Sequence, residues 1–445
     1  MRLKQTLLTA GIVSALAATA AFAQDAAPAV EAAPEAAEAA VDVNLYVFNT
    51  LLFFLGGILV MWMAAGFCML EAGLVRSKNV SMQCLKNISL YSVGVLVYWI
   101  VGYNLMYTGV DGGWFGTPSW MVFPDPASDT GDYSLATDFF YQSMFCATAA
   151  SIVSGTVAER TRLWPFLLFV VILCGVLYPI TGSWQWGGGW LSEAGFSDFA
   201  GSTLVHSVGG WAALTGAIII GARKGRFGAD GRSIAMPGSS IPLATLGAFI
   251  LWFGWFGFNG ASQLALGTLE DAASVGRVVV NTNTAAAAGV IVSMIIMQVV
   301  YKKVDVTMAL NGALGGLVAI TAEPLTPTFL SAAVIGGVGA ALVVFTVPLL
   351  DKLKIDDVVG AIPVHLVAGI WGTLAVPFTN ADTNFGSQIL GIVAVGAFTV
   401  VASAVVWFVI KAVIGLRPTE EEEALGLDRA EVGVEAYPEF SASRI

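Results

Sequence analysis

Two stretches decide the fold of this chain: Ser202-Thr-Leu-Val-His-Ser-Val-Gly-Gly-Trp211 and Ile362-Pro-Val-His-Leu-Val-Ala-Gly-Ile-Trp371. They contain its only two histidines, His206 and His365, in uncharged apolar runs long enough to cross a membrane. Both read Val-His-X-Val-X-Gly, with a tryptophan five or six residues after the histidine. Ionisable side chains in a bilayer are costly and by default mark a functional pathway. One histidine in each half of the chain predicts a pair that meets in one pore.

The composition is that of a membrane protein. Of 445 residues, 57% are hydrophobic and 11% are charged, whereas soluble domains carry roughly 25% charged residues. The mean hydropathy is +0.79, and the 50 glycines suit close helix packing in lipid. The four cysteines lack zinc-ligand spacing, so we expect packing roles for them. We expect neither a metal nor a cofactor. We expect membrane lipid, and no nucleic acid, as a partner.

The N-terminus has the pattern of a secretory signal peptide, residues 1–23. Two basic residues precede the apolar run 7–20, and Ala21-Phe-Ala23 fits a small-X-small cleavage site. An uncleaved first span is the alternative, but the run is short for one. Residues 24–43 are rich in Ala, Pro and Glu, and we expect a disordered extracytoplasmic linker there. The expected location is the inner membrane of a bacterium.

Eleven segments after the linker approach the roughly 20 mostly apolar residues that a spanning helix needs. The predicted fold class is an all-α polytopic membrane protein, with a transmembrane domain over 44–414 and a cytoplasmic regulatory tail over 415–445. The eighth segment is short and rich in glycine. In chain order the segments are 46–70, 83–108, 138–158, 163–183, 201–222, 241–264, 278–301, 306–322, 329–350, 358–378 and 387–414.

Basic residues predict the orientation, because loops on the cytoplasmic side carry the excess of Lys and Arg. With the mature N-terminus outside, only Arg277 among the basic loop residues falls on the outer side. We therefore expect an N-out, C-in topology. The inner basic residues are Arg76, Lys78, Arg160, Arg162, those from Arg223 to Arg232, Lys302, Lys303, Lys352, Lys354 and, in the tail, Arg417, Arg429 and Arg444.

The odd number of spans suggests two five-helix units plus one helix. Leu55-Gly56 in the first span leads eleven residues on to Gly66-Phe67, and Leu246-Gly247 in the sixth leads likewise to Gly257-Phe258. Because five is odd, the units would insert with opposite topology, and inverted repeats place a substrate site at the midplane. The histidines fall in the fifth and tenth spans, at equivalent positions. Chance similarity between glycine-rich helices is the alternative.

The predicted pore is apolar except for two imidazoles, and neither half offers the carboxylate or carbonyl rings of cation channels. A bare ion there would face a large desolvation penalty. Ammonium can release a proton and cross as ammonia, whereas potassium, similar in size, cannot. Two neutral imidazoles, each with one donor and one acceptor, can bind ammonia and relay a proton. The residues thus indicate a small protonatable cation, with ammonium the best candidate.

Four motifs resemble those of the ammonium transporter (Amt) family. They are Asp198-Phe-Ala-Gly-Ser-Thr-Leu-Val-His206, Gly254-Trp-Phe-Gly-Phe-Asn259, Ala158-Glu-Arg160, and Asp356-Asp357 upstream of Val364-His365. The resemblance runs from about Asn44 to Pro438, almost the whole mature chain. It implies a homotrimer with a pore in each subunit, ammonium as substrate with methylammonium alongside it, and a transporter rather than an enzyme.

The resemblance also implies residue roles at the outer end of the pore. Trp186 and Ser262 look like the external ammonium-binding residues, the first through a cation–π contact and the second as a hydrogen-bond acceptor. An interfacial aromatic belt is the alternative for many of the tryptophans, but three glycines after Trp186 would let its loop fold over a vestibule. Phe145 and Phe258 look like the two stacked rings that gate the pore below.

Deeper in the pore, His206 and His365 look like the family's twin pore histidines, with Trp255 lining the pore beside them. Asp198 is similar to the essential acidic residue near the outer mouth, where it would hold the vestibule loop and favour cations. An N-cap of the fifth helix is the alternative for Asp198, and both roles are compatible.

Two positions depart from the pattern of some family members: Tyr141, one turn before Phe145, and Gly360, five residues before His365. The tail resembles the family's cytosolic tail, which implies coupling between subunits and a PII-type signalling protein as partner. Without the resemblance, the acidic run 420–423 reads as a solvated end.

Three other functions remain as alternatives. Two histidines on membrane helices can be axial ligands of a haem in an electron carrier, although the aromatic vestibule and Asp198 have no use there. An ammonium sensor would act through the tail and a partner. A neutral ammonia channel, as in the related Rhesus group, would have the same pore without net charge movement.

Overall fold

The computed structural model describes residues 42–129 and 131–441. The predicted signal peptide and all but the last two residues of the predicted linker lie outside the described residues. Asp42 already caps the first helix, because its carboxylate accepts the backbone N–H groups of Asn44 and Leu45. The helix therefore begins at Val43, three residues before the predicted span.

The described part of the chain folds into helices, and eleven of them match the predicted spans in order. Eight are long and apolar enough to cross a membrane, α8 and α10 are shorter apolar helices, and α3 has 22 residues. The all-α polytopic class is confirmed. The helices are α1 Val43–Leu74, α2 Ser77–Tyr107, α3 Leu135–Thr156, α4 Leu163–Ser183, α5 Ser202–Ile220, α6 Ile241–Gln263, α7 Leu269–Tyr301, α8 Val306–Ile320, α9 Phe329–Lys352, α10 Ile362–Phe378 and α11 Phe385–Val413.

Helix α7 shows why helix ends differ from predicted span ends. Its span is predicted from residue 278, but the helix begins at Leu269, where Thr268 and Asp271 form a capping box. A capping box satisfies free backbone N–H groups at a helix start. Hydropathy locates the part of a helix that suits lipid, whereas capping residues decide where the helix begins.

Helices α1 and α6 cross at the glycines of the proposed repeat. A Cβ on Gly66 would lie 3.1 Å from the carbonyl oxygen of Gly247, and a Cβ on Gly257 would lie 3.0 Å from that of Gly56. The early glycine of each helix thus meets the late glycine of the other, so the two helices run antiparallel. This exchange is expected when two equivalent units have opposite topology.

The tail forms a folded element against the loops at the end of the molecule that holds Arg76 and Arg223. Its acidic run lies in the short helix Glu420–Leu425, and Glu420 pairs with Lys224 at the surface. Glu423, however, is 3% exposed and is bonded to Arg417 at 2.6 Å. The interpretation of this run as a solvated end is therefore wrong for Glu423.

Candidate functional site

Both histidines lie in π-helical turns at matching places. The turn Ser202–Ser207 opens α5 and carries His206, and the turn Ile362–Val367 opens α10 and carries His365. Each turn has six residues. π-helical turns are rare and frequently occur at functional sites.

The last glycine of the shared motif lets the two histidine helices cross closely. It stands four residues after each histidine. A Cβ on Gly210 would lie 2.7 Å from the Cβ of Leu366, and one on Gly369 would lie 2.5 Å from the carbonyl oxygen of Ser202. Each glycine therefore makes room for the π turn of the other histidine, and the spacing in Val-His-X-Val-X-Gly is a packing requirement.

The crossing brings the two buried imidazoles into contact. Their Nδ1 atoms are 3.1 Å apart, and the ring centroids are 5.2 Å apart. One Nδ1–H must donate to the other, bare Nδ1, so two neutral rings hold different tautomers. Nε2 of His206 has no hydrogen-bond partner among the described residues, which leaves it available to another hydrogen-bonding group. The ring of Trp255 lies beside that of His206, with ring centroids 5.0 Å apart. Trp255 donates its indole N–H to the hydroxyl of Thr321 at 2.8 Å.

This contact argues against the haem alternative. Axial histidines bind iron through nitrogens on opposite sides of the metal, whereas these two rings hydrogen-bond directly to each other. Among the residues that the structure describes, no cluster of three His, Cys, Asp or Glu side chains could hold a metal ion.

A file of rings leads from Trp186 to the histidines. Phe145 meets Trp186 edge-on with centroids 6.1 Å apart and stacks on Phe258 at 4.0 Å. Phe258 in turn lies 5.3 Å from His206. The structure therefore places the predicted vestibule tryptophan, the predicted ring pair and the histidines next to one another. We call the Trp186 end of this file the vestibule end.

Ser262 joins the vestibule end through Tyr141. Its hydroxyl donates to the carbonyl oxygen of Phe258 at 2.8 Å and lies 3.0 Å from the Tyr141 hydroxyl. Tyr141 donates to the same carbonyl at 2.9 Å. With both hydroxyl protons on one carbonyl, lone pairs of the Ser262 oxygen remain for another donor. Tyr141, a departure from the family pattern, is therefore part of the site.

Asp198 is enclosed by backbone amides. Its carbonyl oxygen accepts the indole N–H of Trp186 at 2.9 Å, so it ties down the vestibule loop as well as capping α5. Burial raises the pKa of its carboxyl to about 6, against the amide hydrogen bonds, which lower it. The carboxylate accepts N–H groups at 2.7–3.0 Å from four consecutive residues: Gly201, Ser202, Thr203 and Leu204.

The opposite end, which we call the basic end, is held by ion pairs. Arg223 makes two 2.9 Å bonds to the carboxylate of Asp356 and a 2.6 Å bond to Glu159. Burial disfavours the Asp356 carboxylate, but Arg223 outweighs it and holds the pKa of that group below its ordinary value. Arg76 binds the second Glu159 oxygen, while buried Arg160 donates to backbone carbonyls. The Ala-Glu-Arg and Asp-Asp motifs therefore lock these loops together.

Two buried charged residues near the basic end were not predicted from the sequence. Glu71 in α1 and Lys86 in α2 are each 1% exposed. Both bind Ser154: a Glu71 oxygen accepts its hydroxyl at 2.8 Å, and Lys86 donates to its carbonyl at 2.9 Å. Lys86 stands inside the predicted span 83–108, so the rule that flagged the histidines would also have flagged it.

The fold and the site together define a multi-pass helical membrane protein in which a file of aromatic rings leads to paired histidines. Residues 51–437 match the sequence profile of the Ammonium Transporter Family. The chain is 40% identical over 415 residues to ammonium transporter Amt2 of Archaeoglobus fulgidus, covering 86% of this chain and 87% of that one. The chain therefore belongs to the Ammonium Transporter Family, which is a family of transporters rather than enzymes.

The similarity to solved structures supports the same family. A protein described as a sensor Amt protein superposes with a TM-score of 0.83 at 35% identity, covering 88% of this chain and 99% of that one. Mep2 of Candida albicans superposes with a TM-score of 0.77 at 26% identity, covering 89% of this chain and 92% of that one.

Proposed function

We propose that this protein takes up ammonium across the inner membrane of a bacterium, with the vestibule end outside and the basic end in the cytoplasm. The observation that most supports this is the contact of the two Nδ1 atoms of His206 and His365 at the inner end of an aromatic file. Such a path offers little to an ion that must keep its charge, and it offers hydrogen-bond groups to ammonia.

Ammonium is recruited at the vestibule end. Trp186 supplies a cation–π face, and Ser262 supplies the oxygen lone pairs that its own hydrogen bonding leaves unused. Asp198 acts indirectly, because its carboxylate is occupied by four amides. It holds the Trp186 loop in place and adds negative potential at the mouth.

The rings of Phe145 and Phe258 form the gate. Stacked at 4.0 Å, they leave no gap between them, so one ring must swing away for each passage. Exclusion of water at this point favours the uncharged form of the substrate, since charge loses its hydration there.

The histidines carry the next step. In the tautomer in which His206 holds its proton on Nδ1, its bare Nε2 accepts the proton that ammonium gives up. The Nδ1 proton then passes to Nδ1 of His365, and ammonia moves along the same imidazoles. His365, now protonated on both nitrogens, gives the proton on its Nε2 to the ammonia beyond it, so the net movement is one ammonium ion. Both rings return to their starting tautomers before the next cycle.

We further propose a homotrimer with one such path per subunit, preceded by a cleaved signal peptide over 1–23 and the linker. The tail, which packs against the basic end, is the candidate surface for coupling subunits and for a PII-type signalling protein. The homotrimer and the signalling partner rest on family membership together with the folded tail, and the signal peptide and linker rest on the sequence pattern of residues 1–43.

The test is charge movement across proteoliposomes after an ammonium jump, beside an equal potassium jump. We expect a saturable current with ammonium and none with potassium. His206→Ala should abolish the current while the protein still elutes as a folded oligomer. Full ammonium current in that variant would overturn the relay, and internal alkalinisation without current would mean neutral ammonia passage instead.

Ammonium sensing is the second candidate, because one similar solved structure is described as a sensor Amt protein. Sensing would use the same vestibule and report through the tail. Ammonium-dependent protection of the tail from proteolysis, without current or alkalinisation, would favour this function.

A further inference from the structure

A small cavity lies beyond His365, at the basic end of the path. Its walls include Phe67, Glu71, Ser151, Gly155, Asn311 and His365, and the volume open to the centre of a water molecule is about 10 Å³. That is close to the smallest space that holds one water molecule. Ammonium and ammonia are of similar size to water, so the cavity suits one of them.

Glu71 presents one carboxylate oxygen to this cavity. Its Oε2 accepts the hydroxyl of Ser154 at 2.8 Å and the amide of Asn87 at 2.9 Å, and it also accepts the amide of Gln83. Its buried Oε1 has no hydrogen-bond partner among the described residues. A Cβ on Gly155, in the cavity wall, would lie 3.6 Å from that oxygen. An unpaired buried carboxylate oxygen is costly, which calls for a ligand.

The inverted repeat makes Glu71 the counterpart of Ser262. The repeat aligns Gly66-Phe67 with Gly257-Phe258, and four residues beyond each phenylalanine stand Glu71 and Ser262. Each phenylalanine also lies against a histidine, with ring centroids 6.1 Å apart in α1 and 5.3 Å apart in α6. The position that offers a hydroxyl at the vestibule end therefore offers a carboxylate at the basic end.

We propose that Glu71 anchors a second ammonium site, in the cavity beyond His365. The site rests on the proposed transport of ammonium and gives the path an inner counterpart to the Trp186 and Ser262 site. Ammonia that arrives there takes the proton delivered through the histidines, forming its fourth N–H bond. Glu71 remains a carboxylate, accepts one N–H of the ion at Oε1, and releases the ion to the cytoplasm with that proton.

Lys86 prevents this site from binding ammonium too tightly to release it. Lys86 and Glu71 share Ser154, so a positive charge stands close to the carboxylate in the same buried network. Conduction requires a site that binds well enough to be entered and weakly enough to be left. A compensated carboxylate meets both conditions better than an isolated one.

The test uses the full-length protein in proteoliposomes of known orientation, with ammonium applied to one side at a time. Glu71→Gln keeps the size of the side chain but replaces the charged acceptor. We expect the half-saturating ammonium concentration to rise about tenfold from the basic end, as the loss of roughly 1.5 kcal/mol from a charge-assisted hydrogen bond implies. From the vestibule end it should change by less than about twofold.

Ser262→Ala is the matched control, because it should shift the vestibule-end value and spare the other. A wild-type protein without saturable ammonium current would overturn the proposed function and this site with it. Where the wild type transports, a Glu71→Gln variant with no shift, or equal shifts from both ends, would overturn the site alone.

Should Glu71→Gln fail to fold, Gly155→Ala tests the cavity without removing any group of the carboxylate network. Its added methyl group would lie 2.5 Å from Val359 Cγ2, a side-chain atom that can move, and 3.6 Å from Glu71 Oε1. It should raise the half-saturating concentration from the basic end only. A shift that is absent or two-sided would overturn the proposal.

Discussion

At the vestibule end one carboxylate is surrounded by amides, whereas at the basic end carboxylates are paired with arginines. Asp198 accepts four backbone N–H groups. Asp356 takes two bonds from Arg223, which also binds Glu159. The amide dipoles around Asp198 stabilise its carboxylate but leave the net negative charge of the site unchanged. The arginine at the basic end neutralises the carboxylates that it binds.

The difference suits the two ends to different tasks. Under the proposed function, a net negative charge near the vestibule end attracts a cation, and amide dipoles stabilise that negative charge without a competing positive side chain. At the basic end a balanced cluster joins four loops without attracting ions of either sign. The pKa values follow the same division, because the carboxyl of Asp198 is raised to about 6 and that of Asp356 is lowered.

The largest effect should come from removing the amide-bound carboxylate. Asp198→Ala leaves four buried N–H groups unpaired at roughly 1–3 kcal/mol each, so we expect more than about 4 kcal/mol of destabilisation. Thermal unfolding of the purified protein in detergent measures it. We expect the variant to unfold far below the wild type or to fail to assemble.

Asp357→Ala is the matched variant at the basic end. Asp357 binds the start of α10, the other histidine helix, by accepting the N–H of Ile362 at 2.7 Å, and it also accepts the hydroxyl of Thr156 at 3.0 Å. With two bonds rather than four, its loss should cost about half as much. Equal destabilisation by the two variants would contradict the link between the number of hydrogen bonds that each carboxylate accepts and the size of its effect.

The second prediction concerns pH. The carboxyl of Asp198 has a pKa of about 6 in the fold, against a usual value of 3.8. Between these values the folded protein holds a proton that the unfolded chain releases, so stability falls as the pH rises from about 4 to about 6. Two units correspond to roughly 3 kcal/mol. The stability of Asp198→Asn relative to the wild type should therefore rise across this range.

Asp356→Asn provides the contrast. Because the pKa of Asp356 is lowered in the fold, its stabilising effect is complete above the unfolded value and is lost only in stronger acid. Unfolding temperatures measured from pH 4 to 7 should show a constant deficit for this variant. A slope for Asp356→Asn, or none for Asp198→Asn, would contradict the assignment of these carboxyls.

The sequence predicts the fold well where the bilayer imposes a single rule. Long apolar runs reveal the spans, and the twin motif predicts that His206 and His365 meet. Helix starts such as Leu269 and Val43 differ from the prediction because capping side chains set them, and those side chains lie outside the apolar runs from which the spans are predicted. Hydropathy cannot predict the π turns at the histidines, because a π turn differs from an α-helix in which backbone groups are hydrogen-bonded and not in the polarity of its side chains.

The candidate site is predicted less evenly. Asp198 and the ring pair are suggested by family motifs, and the structure brings them to the file of rings. The ion pairs of the basic end are harder to predict from the sequence, because Arg223 lies 64 residues from Glu159 and 133 residues from Asp356 along the chain. Glu71 is missed because it stands just past the predicted first span, where a carboxylate is expected to be solvated. Only the folded chain shows that Ser154 and Lys86 enclose it.

The smallest effect should be local to the tail at the basic end. Glu423 is buried, binds Arg417 at 2.6 Å and accepts the N–H of Lys224 at 2.8 Å. Its neighbour Glu421 is exposed, which makes it a matched control.

Glu423→Ala should weaken tail docking by roughly 1.5 kcal/mol, or about tenfold in the population of the undocked tail. The global unfolding temperature should barely change, because the helices of the membrane domain keep their contacts. Limited proteolysis should cleave the tail of Glu423→Ala about tenfold faster than the wild type. The same acceleration in Glu421→Ala would mean that overall negative charge, rather than the buried pair, holds the tail to the basic end.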